Sequence, residues 1–278
     1  NVPIVAPITL PITCAPKMIA PPISAYKSAW FAFCISAGFP RAVTYLKPAN
    51  TIKKITIGKA KMITASPLAL EIGFDKFKTS RFLKNQNLPF PKTILAHRSM
   101  IIDNFPVILK SRTGSGSKDI HRINSMEEFH LHAKRGIDDF VVQEFISDEK
   151  GEFTCGLYRS QQGEIRILIF KRELTGGYSG YGEIIENDEI NSLLKTLAVK
   201  LNLVGSINVQ LRISDNIPKI FEINPRFSST VLFRYLFGFK DLEWSIRDLF
   251  GEQLDHYNRP KAGSRFYKGF NEYIKVNS

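Results

Sequence analysis

Two short segments of alternating polarity constrain this chain more than any other feature: Ser206-Ile-Asn-Val-Gln-Leu-Arg212 and Phe221-Glu-Ile-Asn224, joined through the turn-forming run Ser214-Asp-Asn-Ile-Pro218. Successive side chains of a strand point to opposite faces. Asn208, Gln210 and Arg212 therefore share one face of the first segment, with Ile207, Val209 and Leu211 on the other; Glu222 and Asn224 project together, with Phe221 and Ile223 turned into a core. Pro225 stops the second strand because it has no N–H for the ladder. Asp215-Asn216 is hairpin chemistry, and register decides which faces meet. A two-residue loop opposes Gln210 to Phe221, whereas a loop of three or five residues opposes Gln210 to Glu222 and Asn208 to Asn224. The odd-length loop is expected. A carboxylate and two amide oxygens would then converge as hard donors suited to Mg²⁺, which completes its shell with substrate phosphates. Arg226 adds a planar donor fork for a phosphoryl oxygen. An edge hairpin whose polar side faces water is the competing reading and stays open on pattern alone.

A second polar constellation lies upstream. Phe105-Pro-Val-Ile-Leu-Lys110 reads as a short apolar strand ending in a lysine, followed by Ser-Arg-Thr-Gly114-Ser115-Gly116-Ser117-Lys118, a flexible loop rich in backbone N–H groups able to close over phosphate. Its glycine spacing fits neither the Walker loop nor the dinucleotide fingerprint. Val141-Val-Gln143-Glu144-Phe145-Ile146 reads as an amphipathic strand, and Glu152 follows in Gly-Glu-Phe-Thr. Lys171-Arg172 ends another strand ahead of the glycine-rich run Gly176-Gly177-Tyr-Ser-Gly180-Tyr-Gly182.

Taken together, and in this order, these residues resemble the ATP-grasp ligases, most nearly the ATP-binding halves of the carbamoyl-phosphate synthetase large subunit and its single-unit relatives. The resemblance covers roughly residues 71–251. It implies an α+β ATP-grasp fold, two lobes sandwiching the nucleotide, and it implies roles. Glu222 would bridge two Mg²⁺ ions (Mn²⁺ being an alternative), with Gln210 on one and Asn224 on the other. Lys76 and Lys110 would reach the nucleotide, Gly114, Ser115, Gly116 and Ser117 would form the flap, and Gln143 to Ile146 would supply backbone to adenine. Glu152 would take the ribose hydroxyls. Arg226 would contact phosphate, and Arg172 would serve the acceptor and the transferred phosphoryl group. The implied activity is an ATP- and Mg²⁺-dependent carboxylate-amine or carboxylate-thiol ligase acting through an acyl phosphate; the alternative is a nucleotide-binding module without catalysis.

Composition narrows the partners. The formal charge is +12, yet eight of the 38 basic residues and none of the 26 acidic ones fall in the first 70, so those carry +8 and the remaining 208 carry +4. No zinc-finger spacing, helix-turn-helix signature or aromatic-interleaved basic run accompanies the charge, which argues against nucleic acid. Cys14, Cys34 and Cys155 are too few and too scattered for a disulfide framework and suit a reducing compartment, so a cytoplasmic protein is expected. His130 and His132 fit a solvated helix face. The longest apolar stretch, 29–39, is too short to span a bilayer.

Organisation changes near residue 65. Nine of the 15 prolines precede Leu68, with no acidic residue and little periodicity, so residues 1–65 read as an anomalous segment, degenerate or out of frame, rather than a folded domain. Residues 66–278 read as the ATP-grasp domain, with 66–146 holding the smaller flap lobe and 147–278 the larger lobe. Within it, Asp75 caps a helix over 76–87, Ser125 opens a capping box, and 189–201 has apolar residues at helical spacing. Further helices are expected over 229–237 and 241–250.

Overall fold

Pro67 and Asp75 each start a helix for a local reason. A computed structural model describes residues 62–113, 119–269 and 272–276; the flap residues Gly114, Ser115, Gly116 and Ser117, and all but the last four residues of the 1–65 segment, lie outside the described residues. Pro67 occupies the first position of α1 (Pro67–Gly73), where its missing N–H costs nothing. Asp75 caps α2 (Lys76–Asn85), accepting the N–H groups of Phe77 and Lys78 at 2.9 and 3.1 Å, while the Arg112 guanidinium grips the same carboxylate at 2.6–2.9 Å. One side chain thus caps a helix and fastens it to a strand. Asp75→Ala should lower the unfolding free energy by about 2 kcal/mol, the sum expected for a lost cap and a partly buried charged hydrogen bond. Asp75→Asn should recover much of the cap share, and urea unfolding of both variants measures the difference.

The smaller sheet is antiparallel, in the order β1-β4-β2-β3: β1 (Thr93–Leu95), β2 (Val107–Ser111), β3 (Ile120–Ile123) and β4 (Phe140–Glu144). Helix α3 (Met126–Lys134) lays Phe129 and Ala133 into a core with Val107, Leu109, Ile123 and Val142. Its capping box closes with Ser125 Oγ accepting the Glu128 N–H and Glu128 accepting that of Asn124. His132 packs against His121 in a tilted pair with ring centroids 4.3 Å apart.

The larger sheet is antiparallel throughout, in the order β11-β10-β7-β6-β5-β8-β9. Its strands are β5 (Glu152–Arg159), β6 (Ile165–Thr175), β7 (Tyr178–Ile184), β8 (Gly205–Ser214), β9 (Ile217–Asn224), β10 (Arg265–Lys268) and β11 (Glu272–Lys275). One face is covered by α4 (Asp188–Lys200), whose Ile190, Leu193, Leu194, Leu197 and Ala198 meet Leu157, Ile207, Val209, Leu211 and Ile223. Ala65 belongs to that core as well. On the other face, α5 (Val231–Leu236) and α6 (Asp241–Leu249) build an aromatic core in which Phe233, Phe237, Phe239 and Trp244 meet Tyr158 of β5, Phe170 of β6 and Phe266 of β10, and α6 also packs against β8. The rest of that face over β9, β8 and β5 is polar.

The hairpin between β8 and β9 corrects one expectation and keeps another. Its loop has two residues, not three or five: Asp215 and Asn216 stand at φ +53° and +63°, the left-handed pair of a tight hairpin turn, and Ser214 pairs with Ile217. That loop should have opposed Gln210 to Phe221. Instead the register shifts between Leu211↔Ile220 and Gln210↔Glu222, so Phe221 is the extra residue of a β-bulge, and Gln210 pairs with Glu222 and Asn208 with Asn224 after all. Phe221 leaves the expected core position as a result. Its ring lies 5.6 Å from Lys110 Nζ and 5.9 Å from the Arg212 guanidinium.

Candidate functional site

Cross-strand pairing arranges the polar face in rows. Glu222, Gln210 and Thr154 form one row; Asn224, Asn208 and Gly156 form the next; and Arg212, Glu152 and Arg172 form a third, towards the hairpin tip. A row in an antiparallel sheet brings Cβ atoms to about 5 Å. Residues distant in sequence thereby become neighbours.

The row of Asn208 is fixed from beneath by a buried polar network. Arg234 is fully buried, donates to Asn208 Oδ1 and pairs with Asp241, which also accepts the Ser206 hydroxyl at 2.7 Å; Thr154 Oγ1 donates to Asn208 Oδ1 at 2.9 Å. Gly156 makes room for this, because a Cβ there would stand 2.8 Å from Phe239 and 3.1 Å from the Arg234 guanidinium. Pattern reading gave no hint of Arg234, which sits on a helix amid apolar residues.

Above Glu222, the smaller sheet contributes Lys110 from β2. Its ammonium is buried and donates to Gln143 Oε1 at 2.8 Å and, at 3.4 Å, to the Phe221 carbonyl, so the bulge supplies one of its contacts. Gln143 is held in turn by donating to Thr93 Oγ1 at 2.8 Å. Burial pushes the Lys110 ammonium down to about 8, Glu222 acting against the shift and Lys76 with it. Lys76, at the start of α2, is likewise lowered by burial with Glu222 opposing, and Arg226 is lowered by burial with Glu222 opposing. Cations from α2, β2 and the bend after β9 thus feel one carboxylate. Each is harder to keep charged than in water, and an added polyanion would relieve all three.

The remaining expected residues fall as follows. Asn224 Oδ1 receives one long contact, 3.4 Å, from Arg226, which leaves it acceptor capacity; its buried Nδ2 has no partner among the described residues. The backbones of Gln143 and Glu144 belong to β4, which is paired on both sides, while the Glu144 carboxylate holds the Lys92 N–H and Lys219. Phe145 lies under Arg122, its ring centroid 4.4 Å away, and the Ile146 carbonyl accepts from Arg212 at 2.7 Å. Glu152 and Arg172 are ion-paired to each other, and Arg212 joins them.

As a cation site, the set Gln210, Glu222 and Asn224 offers oxygen donors with a single carboxylate, and the described residues hold no cluster of three or more His, Cys, Asp or Glu that could bind a metal ion. One carboxylate and two amides suit Mg²⁺ when phosphate oxygens complete the shell, which is how this ion is usually held. The free thiol Cys155 is buried, and burial pushes it up to about 12, so it behaves as an apolar core group.

Residues 74–230 match the family described as ATP-grasp domain. Among curated relatives, the chain is 31% identical over 113 residues to the coenzyme gamma-F420-2:alpha-L-glutamate ligase of Methanococcus maripaludis, covering 37% of each chain. It is 22% identical over 206 residues to the carbamoyl phosphate synthase large chain of Archaeoglobus fulgidus, covering 67% of this chain and 19% of that one. Among solved structures, the biotin carboxylase domain of Hydrogenobacter thermophilus 2-oxoglutarate carboxylase, in complex with MgADP, ADP and bicarbonate, superposes with a TM-score of 0.63 at 15% identity, over 74% of this chain and 52% of that one. The chain therefore spans less than two-fifths of these two curated relatives and about half of the solved structure.

Proposed function

The chain belongs to the ATP-grasp family, and from that premise we propose that it is an ATP- and Mg²⁺-dependent ligase joining a small-molecule carboxylate to an amine or thiol through an acyl phosphate. The observation that carries this reading is one polar face on which Glu222 stands across the ladder from Gln210, Arg226 contacts Asn224, and the buried Lys110 ammonium reaches the Phe221 carbonyl beside Glu222. A buried ammonium and a guanidinium beside oxygen donors for Mg²⁺ suit a polyphosphate.

Glu222, Gln210 and Asn224 would hold two Mg²⁺ (or Mn²⁺) ions, which supply charge neutralisation at the triphosphate. Lys110, kept in place by Gln143, donates to a phosphate oxygen and exchanges the Phe221 carbonyl for it. Lys76 adds its charge from the helix start. Arg226 presents its fork to the γ-phosphoryl group as an acceptor carboxylate oxygen attacks phosphorus and ADP leaves. The amine or thiol then attacks the acyl carbon and releases phosphate. Catalysis of this kind is positioning and charge stabilisation, and no covalent nucleophile from the protein is needed. Residues 143–146 line the adenine, and Arg172 faces the acceptor. In this reading residues 66–146 carry the smaller lobe and 147–278 the larger, and residues 1–65 add no catalytic group. A cytoplasmic location fits the thiols, and no helix of the described residues is long and apolar enough to cross a membrane.

The test is ADP release from MgATP, with panels of carboxylates and amines. Stimulation by one carboxylate, and further product on adding one amine, is the expected result. Mg²⁺-dependent ATP binding without ADP release under any pairing would leave a nucleotide-binding module, and no ATP binding at all would overturn both.

A further inference from the structure

Glu152 cannot do what its place in the fold asks of it while its present partners remain. Oε1 accepts from Arg172 Nε at 3.0 Å and Nη2 at 2.5 Å, and Oε2 accepts from Arg212 Nε at 3.0 Å and Nη2 at 2.7 Å. A carboxylate has about four lone-pair sites, and these four donors fill them. Ribose hydroxyls could bind Glu152 only by displacing a guanidinium.

The two arginines are not equally anchored. Arg212 has a further strong acceptor, the Ile146 carbonyl at 2.7 Å, and rests near the Phe221 ring. Among the described residues, Arg172 has a 3.3 Å contact to Ser179 Oγ besides its bonds to Glu152. It also stands where β6 leaves the core: the β6–β7 register shifts between Glu173 and Leu174, and the strand beyond is exposed. Arg172 is therefore the one that yields. It yields into a cleft of about 510 Å³ whose lining holds Glu152, Arg172, Arg212 and Tyr181 together with four further carboxylates, a size that takes a small molecule. Lys171, its neighbour, pairs with the core residue Phe153 on the other face of β6, and its stem packs against Gly151 (φ +96°), where a Cβ would stand 2.5 Å from Lys171 Cε.

We propose that Glu152 is a latch: ribose hydroxyls displace Arg172 from its carboxylate, and the released guanidinium becomes the binding site for the anionic end of the acceptor. The acceptor subsite is then assembled only after nucleotide is bound. Without nucleotide, Arg172 is neutralised by Glu152 and offers an acceptor carboxylate little. This rests on the nucleotide site proposed above.

The side-chain Nε–H resonances of Arg172 and Arg212, assigned with Arg172→Lys and Arg212→Lys and followed by ¹⁵N NMR on the full chain, test it with MgADP and with its 2′,3′-dideoxy analogue, binding of each being measured separately by calorimetry. MgADP should speed hydrogen exchange at the Arg172 Nε–H by about tenfold, the change expected when a charge-assisted pair opens, and the dideoxy analogue should leave it slow. Arg212 should change little with either. In Glu152→Gln, Arg172 should exchange fast without nucleotide. Bound MgADP that leaves Arg172 slow, or a dideoxy analogue that frees it equally, overturns the latch while the nucleotide site stands. Failure of MgADP to bind overturns the nucleotide site itself, and the latch with it.

Discussion

Glu222→Gln is expected to lower turnover by about 10²-fold or more while nucleotide affinity falls only modestly, because charge stabilisation that is greatest in the transition state is worth several kcal/mol. The substitution keeps the volume and the strand pairing with Gln210 and removes the one carboxylate towards which Lys76, Lys110 and Arg226 converge. A further signature follows from that convergence. In the proposed site Mg²⁺ would offset repulsion between Glu222 and the triphosphate; the variant would lack that repulsion, so metal-free ATP should bind at least as tightly as to the parent and added Mg²⁺ should help far less. Arg212→Gln is unsuitable as a control, since Arg212 pins both Glu152 and the Ile146 carbonyl. Lys200→Gln, exposed at the end of the helix on the opposite face, serves instead and should leave turnover unchanged. The measurements are ADP release and ATP binding with and without Mg²⁺. Turnover of Glu222→Gln equal to that of the parent would remove the metal-site reading.

The two-fold period was enough to put Asn208 with Gln210 on one face of β8 and Glu222 with Asn224 on one face of β9, and the 3.6-residue period of α4 to place its apolar stripe in the core. What pattern missed was how the register is reached. Asp215-Asn216 favours the two-residue turn that the chain adopts, and that turn by itself gives the wrong parity; one bulged residue restores it. Parity arguments count residues and cannot locate an extra one, whose place is set by what its side chain and carbonyl meet, here Lys110 and Arg212. Glu152 shows the same limit. Its position was legible, but its two guanidinium partners lie 20 and 60 residues away on neighbouring strands, and only the ladder shows that they fill its lone pairs. Likewise Gln143, expected to act through its backbone, holds Lys110 with its side chain. The short strands β10 and β11 carry too few residues for a period to appear.

Replacing Lys110 by Met should move stability and binding in opposite directions. Burial holds the ammonium down to about 8 from its ordinary 10.5. The unfolded chain therefore binds more protons than the folded one between those values, and stability should rise with pH across that window; below it the burial penalty is fully present, worth about 3 kcal/mol from the size of the shift. Lys110→Met removes the penalty at pH 7 but leaves Gln143 Oε1 without its donor, a cost of about 1–3 kcal/mol. The net expectation is an apo protein at least as stable as the parent at pH 7, with most of its stability gain between pH 8 and 10 abolished. Lys76, also lowered by burial, contributes with the same sign. ATP binding responds the other way. Phosphate oxygens beside Lys110 raise its proton affinity, so the parent should take up a proton on binding near pH 8, and its affinity should decline as pH climbs through that value, by at most about tenfold per unit for one proton. The Met variant should lose about 10²-fold in MgATP affinity at pH 7, as truncating one partner of a desolvated charge pair does, and show a flatter pH profile. Calorimetry in two buffers of different ionisation enthalpy counts the proton, and urea unfolding at pH 7 and 10 reads the stability. A parent that binds MgATP without proton uptake near pH 8, or a variant that binds as tightly as the parent, would place Lys110 outside the phosphate site.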